Sequence, residues 1–312
     1  MSEPAAPTDP LSQMMMNNIP ETVEDMRDLL NGFAGLLNGD MPEVGAFHEK
    51  VAVEGCPAEV TADVIVPKGE GPFPVLVYLH GGGWICGSPT THKKLAHRFA
   101  EAGYLVFNVD YRMAPEFPFP TPFDDCVESI RWAARVADRY SGDSTRLAVG
   151  GDSAGGNLSA AAAVALADDP TVKISAALLI YGVFDFATMS ATSPVAPQGV
   201  SEEMAEAGPK LVELMVGSYL GPEPERQAVM ADPRVSPIYA ADRLPPSHVV
   251  CGAADPLVEQ AKVMAEKLTK AGVDHEYVIV PDMPHGFAQM EFFPQARESI
   301  DRMVAFLNER LC

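Results

Sequence analysis

The sequence predicts an α/β fold, a mostly parallel central sheet flanked by helices and carrying a helical cap, and three observations carry that expectation. Short apolar runs rich in β-branched and aromatic residues alternate with helical stretches along most of the chain. One of those runs ends in a Gly-x-Ser-x-Gly turn that opens directly into an alanine-rich helix. Two further segments, before about residue 50 and from 186 to 232, have helical character with no strand alongside.

Strands are expected at 60–66, 75–79, 104–109, 146–150, 176–181, 248–252 and 276–280, each an apolar run bounded by turn formers. Helices are expected between them at 93–102, 122–140, 153–167, 258–271 and 294–310, with Gly272 closing the fourth. Strand order is not legible in such a pattern, and no internal repeat is evident. Before residue 50, Val23, Met26, Leu29, Leu30, Phe33, Leu36 and Leu37 recur at helical spacing after a Thr22 to Asp25 capping box. From 186 to 232, Met204, Leu211, Leu214, Met215 and Tyr219 lie along helical turns broken by Pro209. Apolar stripes usually mean core packing. Two such helices without strand partners also suit a lid, so segments 1–50 and 186–232 are assigned to a cap and segments 51–185 and 233–312 to the core. Met14, Met15 and Met16, with Met204 or Met215, would then line an adaptable apolar pocket.

The run Gly151-Asp152-Ser153-Ala154-Gly155-Gly156 places a serine on a sharp strand-to-helix turn, where its hydroxyl stands at the carboxyl end of a sheet. Glycine at 151 and 155 removes side chains that would collide as the helix folds back. The duller alternative is a glycine-rich turn with an incidental serine. A second cluster, His80-Gly81-Gly82-Gly83-Trp84, follows Val75-Leu76-Val77-Tyr78-Leu79 and leaves backbone N–H groups bare for an anion, as an acyl-transfer intermediate requires. A phosphate cradle fits less well: no Gly-x-x-x-x-Gly-Lys-Ser/Thr occurs, and Gly81, Gly83 and Gly87 miss the dinucleotide spacing by one residue.

A serine hydroxyl is a weak nucleophile and needs a base, with a carboxylate to orient it. Asp255 lies just past the strand 248–252, and His285 lies in the turn-rich loop Pro281-Asp282-Met283-Pro284-His285-Gly286-Phe287 after the last strand. Asp255 precedes Pro256 and has an equal claim to be a helix-starting residue; Asp282 is a rival acid, but too near His285 in sequence. Of the seven histidines, His92 and His97 are expected on a surface helix without metal-ligand spacing, His48 and His275 in polar surroundings, and His248 at the start of a strand.

The motifs His80 to Trp84, Asp110-Tyr111-Arg112-Met113-Ala114-Pro115-Glu116, Gly151 to Gly156, Asp255-Pro256-Leu257 and Pro284-His285-Gly286-Phe287 together resemble the α/β-hydrolase fold carboxylesterases of the hormone-sensitive-lipase-like group, from roughly residue 50 to the C-terminus. The resemblance implies Ser153 as nucleophile, His285 as general base and Asp255 as its orienting partner, with the N–H groups of Gly82, Gly83 and Ala154 as the oxyanion hole. It implies that His80 braces the glycine loop rather than carrying a proton. Short- to medium-chain acyl esters follow as the substrate class, with no metal or cofactor, and a homodimer is compatible with it. The chain departs from the pattern at Val258-Glu259-Gln260, where an arginine and an acidic residue are usual, and at Phe117, where histidine is usual.

Composition agrees with one catalytic domain: 312 residues, 47% hydrophobic, can bury a sizeable core undivided. No run of eighteen apolar residues suits a membrane span, and the absence of positive charge before Arg27 argues against a signal peptide. Five cysteines without a Cys-x-x-Cys pair do not suggest a disulfide framework, so a cytoplasmic location is expected. A formal charge of −21 disfavours nucleic acid and anionic membranes as partners and reads first as solubility, with salt adaptation as the weaker alternative. Two rival functions share these residues: an amidase or peptidase using the same triad, and a non-catalytic small-molecule receptor.

Overall fold

The computed structural model describes residues 19–189 and 202–312. Eight strands, β1 (Ala46–Ala52), β2 (Thr61–Val66), β3 (Phe73–Leu79), β4 (Leu105–Asp110), β5 (Gly142–Asp152), β6 (Ile174–Ile180), β7 (Ser247–Gly252) and β8 (His275–Val280), form one sheet in the order β1-β2-β4-β3-β5-β6-β7-β8. β1 and β2 pair antiparallel and so do β2 and β4, whereas every other pairing is parallel. β3 and β7 are buried throughout and β5 and β6 over their C-terminal parts, because helices cover both sheet faces; this is why these strands read as unbroken apolar runs.

β1 is absent from the strands expected above. Its centre, His48-Glu49-Lys50, is exposed, as suits an edge strand that discourages pairing with other chains, and such a segment has no apolar run to betray it. Residues 46–50 therefore pair in the sheet.

The helices are α1 (Val23–Leu37), α2 (Lys93–Glu101), α3 (Thr121–Val136), α4 (Ala154–Ala165), α5 (Glu202–Leu220), α6 (Glu225–Val229), α7 (Val258–Ala271) and α8 (Pro294–Leu311). α4 is buried from Ala154 to Val164, packed on β5, β6 and α3, and its predominance of alanine and glycine keeps it thin enough for that slot. α1 begins in the expected capping box, with Asp25 N–H donating to Thr22 Oγ1 (3.1 Å) and Thr22 N–H to Asp25 Oδ2 (2.9 Å). It buries Phe33 and Leu37 against Met290. α5 runs through Pro209 instead of breaking there, since the stripe of Val212, Val216 and Tyr219 packs on the core and outweighs the one backbone bond that proline removes. Met14, Met15 and Met16 lie outside the described residues, and so does the Met204 side chain.

The order of strands reverses between β3 and β5: α2 leads from β3 to β4 on one side, and α3 returns from β4 to β5 on the other. At such a switch point the outgoing loops diverge and open a crevice at the carboxyl ends of the strands. Leu79 pairs with Gly151, so the glycine loop after β3 and the serine turn after β5 start side by side.

Candidate active site

Ser153 occupies φ 53°, ψ −119°, a region that costs a non-glycine residue strain, and its N–H donates to the Ile180 carbonyl at 2.9 Å. The neighbouring glycines explain why the chain can turn so tightly. A Cβ on Gly155 would run into the carbonyl oxygens of Leu79 and His80, and one on Gly151 into that of Leu79. The helix therefore folds back against β3 with no room for any side chain at these positions.

In the adjoining loop Gly82 and Gly83 take φ 127° and 59°. Among the described residues none accepts a hydrogen bond from the N–H of either. Ala154 is the first residue of α4, so its N–H has no acceptor within the helix. His80 holds the loop from below: its Nδ1–H donates to the Gly81 carbonyl at 2.9 Å, its ring stacks on Tyr111 at 4.3 Å, and the Tyr111 hydroxyl donates to the His80 carbonyl at 2.7 Å. Burial, aided by the nearby His92, drives the His80 pKa down to about 3, so at neutral pH this imidazole is neutral and holds a single N–H. From above, Met215 of α5 lies against Gly83, leaving no space for a Cβ there, and Tyr219 stacks on Trp84 at 4.8 Å. Arg27 of α1 donates to the Ile85 and Ala114 carbonyls (2.8 and 3.2 Å) and pairs with Glu116 at 2.7 Å, tying the N-terminal helix to the same loop.

The remaining groups arrive from the far side of the sheet. β7 and β8 are neighbours, with Gly252 opposite Val280, so Asp255 and the loop carrying His285 leave together. To reach Ser153 that loop must cross from β8 to β5, about 14 Å at the usual strand spacing. It passes over the end of β7, where a Cβ on Gly252 would strike the Met283 carbonyl, and is pinned by Ala254 N–H donating to that carbonyl at 3.1 Å. His285 Nε2 then lies 2.9 Å from Ser153 Oγ, and Nδ1 lies 2.8 Å from Asp255 Oδ2. Tyr181, at φ 35°, sets its ring edge-on to the imidazole at 5.0 Å.

Asp255 does not cap α7, which starts at Val258 with no side-chain cap; its Oδ1 accepts the Leu257 N–H at 2.8 Å in the turn before the helix, while Oδ2 accepts from His285. Asp282, the rival acid, is an exposed turn residue at φ 59°. Loss of solvent lowers the His285 pKa, but the charge and hydrogen bond of Asp255, with the charge of Asp152, more than restore it, and the net shift is upward. The Gln260 departure keeps a structural task, since its Oε1 accepts the N–H groups of Phe184 and Asp185 at 2.8 and 3.0 Å. Phe117 lies under the Arg112 guanidinium, 4.9 Å from ring centroid to Cζ.

The structure corrects the surface placement of His92 and His97. His92 caps the start of α2 at 2% exposure, and His97 is buried with Nδ1–H donating to the Lys93 carbonyl at 2.8 Å. The Lys93-Lys94 pair between them suggests a solvated face, yet α2 turns Leu95, Ala96, Phe99 and Ala100 inward and carries both histidines with them. His248 is buried against Glu276 at 2.8 Å, and desolvation pushes it down to about 4. Asp152 belongs to the site as well, although its place in the motif assigns it no role. Its carboxylate is buried one residue before the serine and accepts from the Tyr78 hydroxyl (2.8 Å) and the Gly81 N–H (3.1 Å). The signal was an ionisable residue inside a motif otherwise made of small residues.

Known proteins agree with this architecture. A family model described as alpha/beta hydrolase fold matches residues 76–289, well over half the chain. The chain is 32% identical over 242 residues to the carboxylesterase NlhH of Mycobacterium tuberculosis, covering 77% of this chain and 74% of that protein. It is 32% identical over 240 residues to an ethyl acetate hydrolase of Pseudomonas putida, covering 76% and 73%. Among solved structures, an esterase from the bacterial hormone-sensitive lipase family superposes with a TM-score of 0.78 at 32% identity, covering 97% of each chain. With the sheet order, the serine turn and these likenesses in agreement, the chain belongs to the α/β-hydrolase fold family, among its hormone-sensitive-lipase-like carboxylesterases.

Proposed function

We propose that the protein is a serine carboxylesterase that cleaves short- to medium-chain acyl esters through an acyl-enzyme. The observation that carries this reading is the unbroken chain of contacts from Ser153 Oγ to His285 Nε2 (2.9 Å) and from Nδ1 to Asp255 Oδ2 (2.8 Å), on a serine held at positive φ. Neutral His285 takes the hydroxyl proton as Ser153 attacks the ester carbonyl, and Asp255 fixes the tautomer with Nδ1–H and stabilises the imidazolium that forms. The new oxyanion is held by the N–H groups of Gly82, Gly83 and Ala154, donors already in place before charge develops. His285 returns its proton to the departing alcohol, and water repeats the sequence on the acyl group. No cofactor enters these steps.

α1 and α5 serve as the cap, a role supported by the contact of Met215 with Gly83 and the stack of Tyr219 on Trp84. Methionine and aromatic side chains pressed on the oxyanion loop favour a short acyl group, and the Pseudomonas relative, an ethyl acetate hydrolase, supports the short end of the range. No helix among the described residues is long and apolar enough to cross a membrane. Five unpaired cysteines support a reducing compartment such as the cytoplasm.

The test is covalent: an alkyl p-nitrophenyl phosphonate should add one phosphonyl group to Ser153, seen by mass, and abolish turnover of a chromogenic ester. An unlabelled, fully active protein would remove Ser153 from its role. A series of p-nitrophenyl esters of increasing acyl length then measures the pocket, and a matched ester and anilide separate the esterase from an amidase.

A further inference from the structure

We infer that Asp152 and His92 form a buried ion pair that locks the serine turn, the glycine loop and the histidine loop into one unit and cancels a negative charge next to the oxyanion site. The inference rests on the reading of Ser153 and His285 as nucleophile and base. Asp152 directly precedes Ser153, and its carboxylate touches all three loops: the Gly81 N–H at 3.1 Å, the His92 Nε2 at 3.2 Å and, at 3.4 Å, Gln289, which lies four residues beyond His285. A carboxylate 2% exposed is costly unless a cation faces it. Its other near neighbours are the neutral His80 and the hydroxyl of Tyr78.

His92 is the side chain placed to be that cation, with Nε2 3.2 Å from the carboxylate. Thr91 Oγ1 accepts the Ser88 N–H (3.0 Å) and has the Ser88 carbonyl 2.9 Å away as an acceptor for its own hydrogen. With that hydrogen on the carbonyl, Oγ1 is an acceptor toward His92 Nδ1, 2.8 Å away, and Nδ1 carries a hydrogen. Nε2 faces the carboxylate, the Gln289 amide at 2.7 Å and, at 3.3 Å, the Gly81 N–H, whose shorter bond of 3.1 Å goes to Asp152 Oδ1. A neutral ring would aim the Nε2 lone pair at a buried carboxylate. With the amide turned over, Gln289 Oε1, a buried atom without a partner among the described residues, accepts from Nε2–H, and the histidine loop is then tied to Asp152 through His92 in place of the 3.4 Å amide contact. His92 then carries both hydrogens and one positive charge. Burial raises the Asp152 pKa, but the charge and bond of His92, with the Tyr78 bond, outweigh it and hold the carboxyl below its usual range.

The same pair tunes the base. Facing His285 are Asp255 beyond β7, Asp152 at the end of β5 and Tyr181 after β6; facing His92 are Asp152, His80 and Tyr78, with Lys94, Glu291 and Gln289 across a narrow cleft. Removing the His92 charge leaves Asp152 uncompensated, which favours the His285 imidazolium and opposes the oxyanion. Removing the Asp152 charge does the reverse to His285.

The experiment compares the pH dependence of kcat/KM for His92→Gln and Asp152→Asn with the native enzyme. We expect the acid limb of His92→Gln to move up, and that of Asp152→Asn to move down, by about one pH unit each. Loss of positioning should lower kcat about 10- to 100-fold in both. Limbs that stay in place, with activity merely reduced, would mean packing alone and overturn the ion pair. Should a variant fail to fold, ¹⁵N resonances of the native His92 ring decide: two protonated nitrogens at neutral pH support the pair, and a bare Nε2 overturns it. Phosphonate labelling of Ser153 in the native protein keeps the two readings apart, since unmoved limbs with normal labelling sink the ion pair while leaving the esterase mechanism intact.

Discussion

Two histidine–aspartate pairs flank Ser153, alike in composition and opposite in setting. The forward pair, His285 and Asp255, stands on the loops after β8 and β7, and the imidazole side chain is 36% exposed. The rear pair, His92 and Asp152, is sealed beneath the serine turn at 1% and 3% side-chain exposure. At the front, Nε2 meets a hydroxyl that can surrender its proton to a ring open to substrate. At the rear, each ring nitrogen meets a partner that is itself held in the fold, so no proton has anywhere to go. A histidine next to an aspartate thus does not define a base; access to a proton donor at the other nitrogen does.

The largest break in that comparison comes from Ser153→Ala, which should lower kcat by roughly 10⁴- to 10⁶-fold while leaving both pairs in place. Steady-state assay with a chromogenic acetate checks it. Next, Asp255→Asn should cost about 10⁴-fold in kcat, because an amide no longer selects the Nδ1–H tautomer of His285. If it cost no more than Asp152→Asn, the assignment of front and rear would be exchanged. Third, activity should fall about tenfold per pH unit below a His285 pKa that lies above the ordinary 6.5. The buried His80 and His248 behave in the opposite sense. Their folded-state values, about 3 and about 4, lie below the unfolded value, so the stability they contribute is complete above pH 6.5 and drains away as pH falls toward those values. Activity should therefore disappear, reversibly, at a pH where circular dichroism still reports a folded chain. The smallest effect sharpens the rear pair: Tyr78→Phe removes one donor from a buried carboxylate and should cost about 1.5 to 3 kcal/mol in denaturant unfolding, with Ser153 still labelled by phosphonate.

Much of the site was readable from local chemistry. Gly-Asp-Ser-Ala-Gly announces a tight turn because no side chain fits at 151 or 155, and Asp255 and His285 stand out because each follows a strand in a turn-rich loop. β1 escaped because an exposed edge strand has no apolar run, and α5 appeared broken because a proline reads as a break wherever tertiary packing is invisible. His92 was misplaced because its neighbours in sequence are lysines, while its neighbours in space are Asp152, Thr91 and Gln289. Gln289 carried no local signal at all.

The sequence by itself determined the alternation of strands and helices, the serine turn, the bare glycine loop and the three candidate side chains for nucleophile, base and acid, since each depends on steric or chemical properties of residues close together in the chain. Only the tertiary structure decided the strand order, the passage of the histidine loop over Gly252, and which of two aspartates meets which histidine. Those outcomes turn on burial and on contacts between residues distant in the chain, 30 positions apart for Asp255 and His285, 60 for Asp152 and His92 and 132 for Ser153 and His285, and no local property of the chain encodes them.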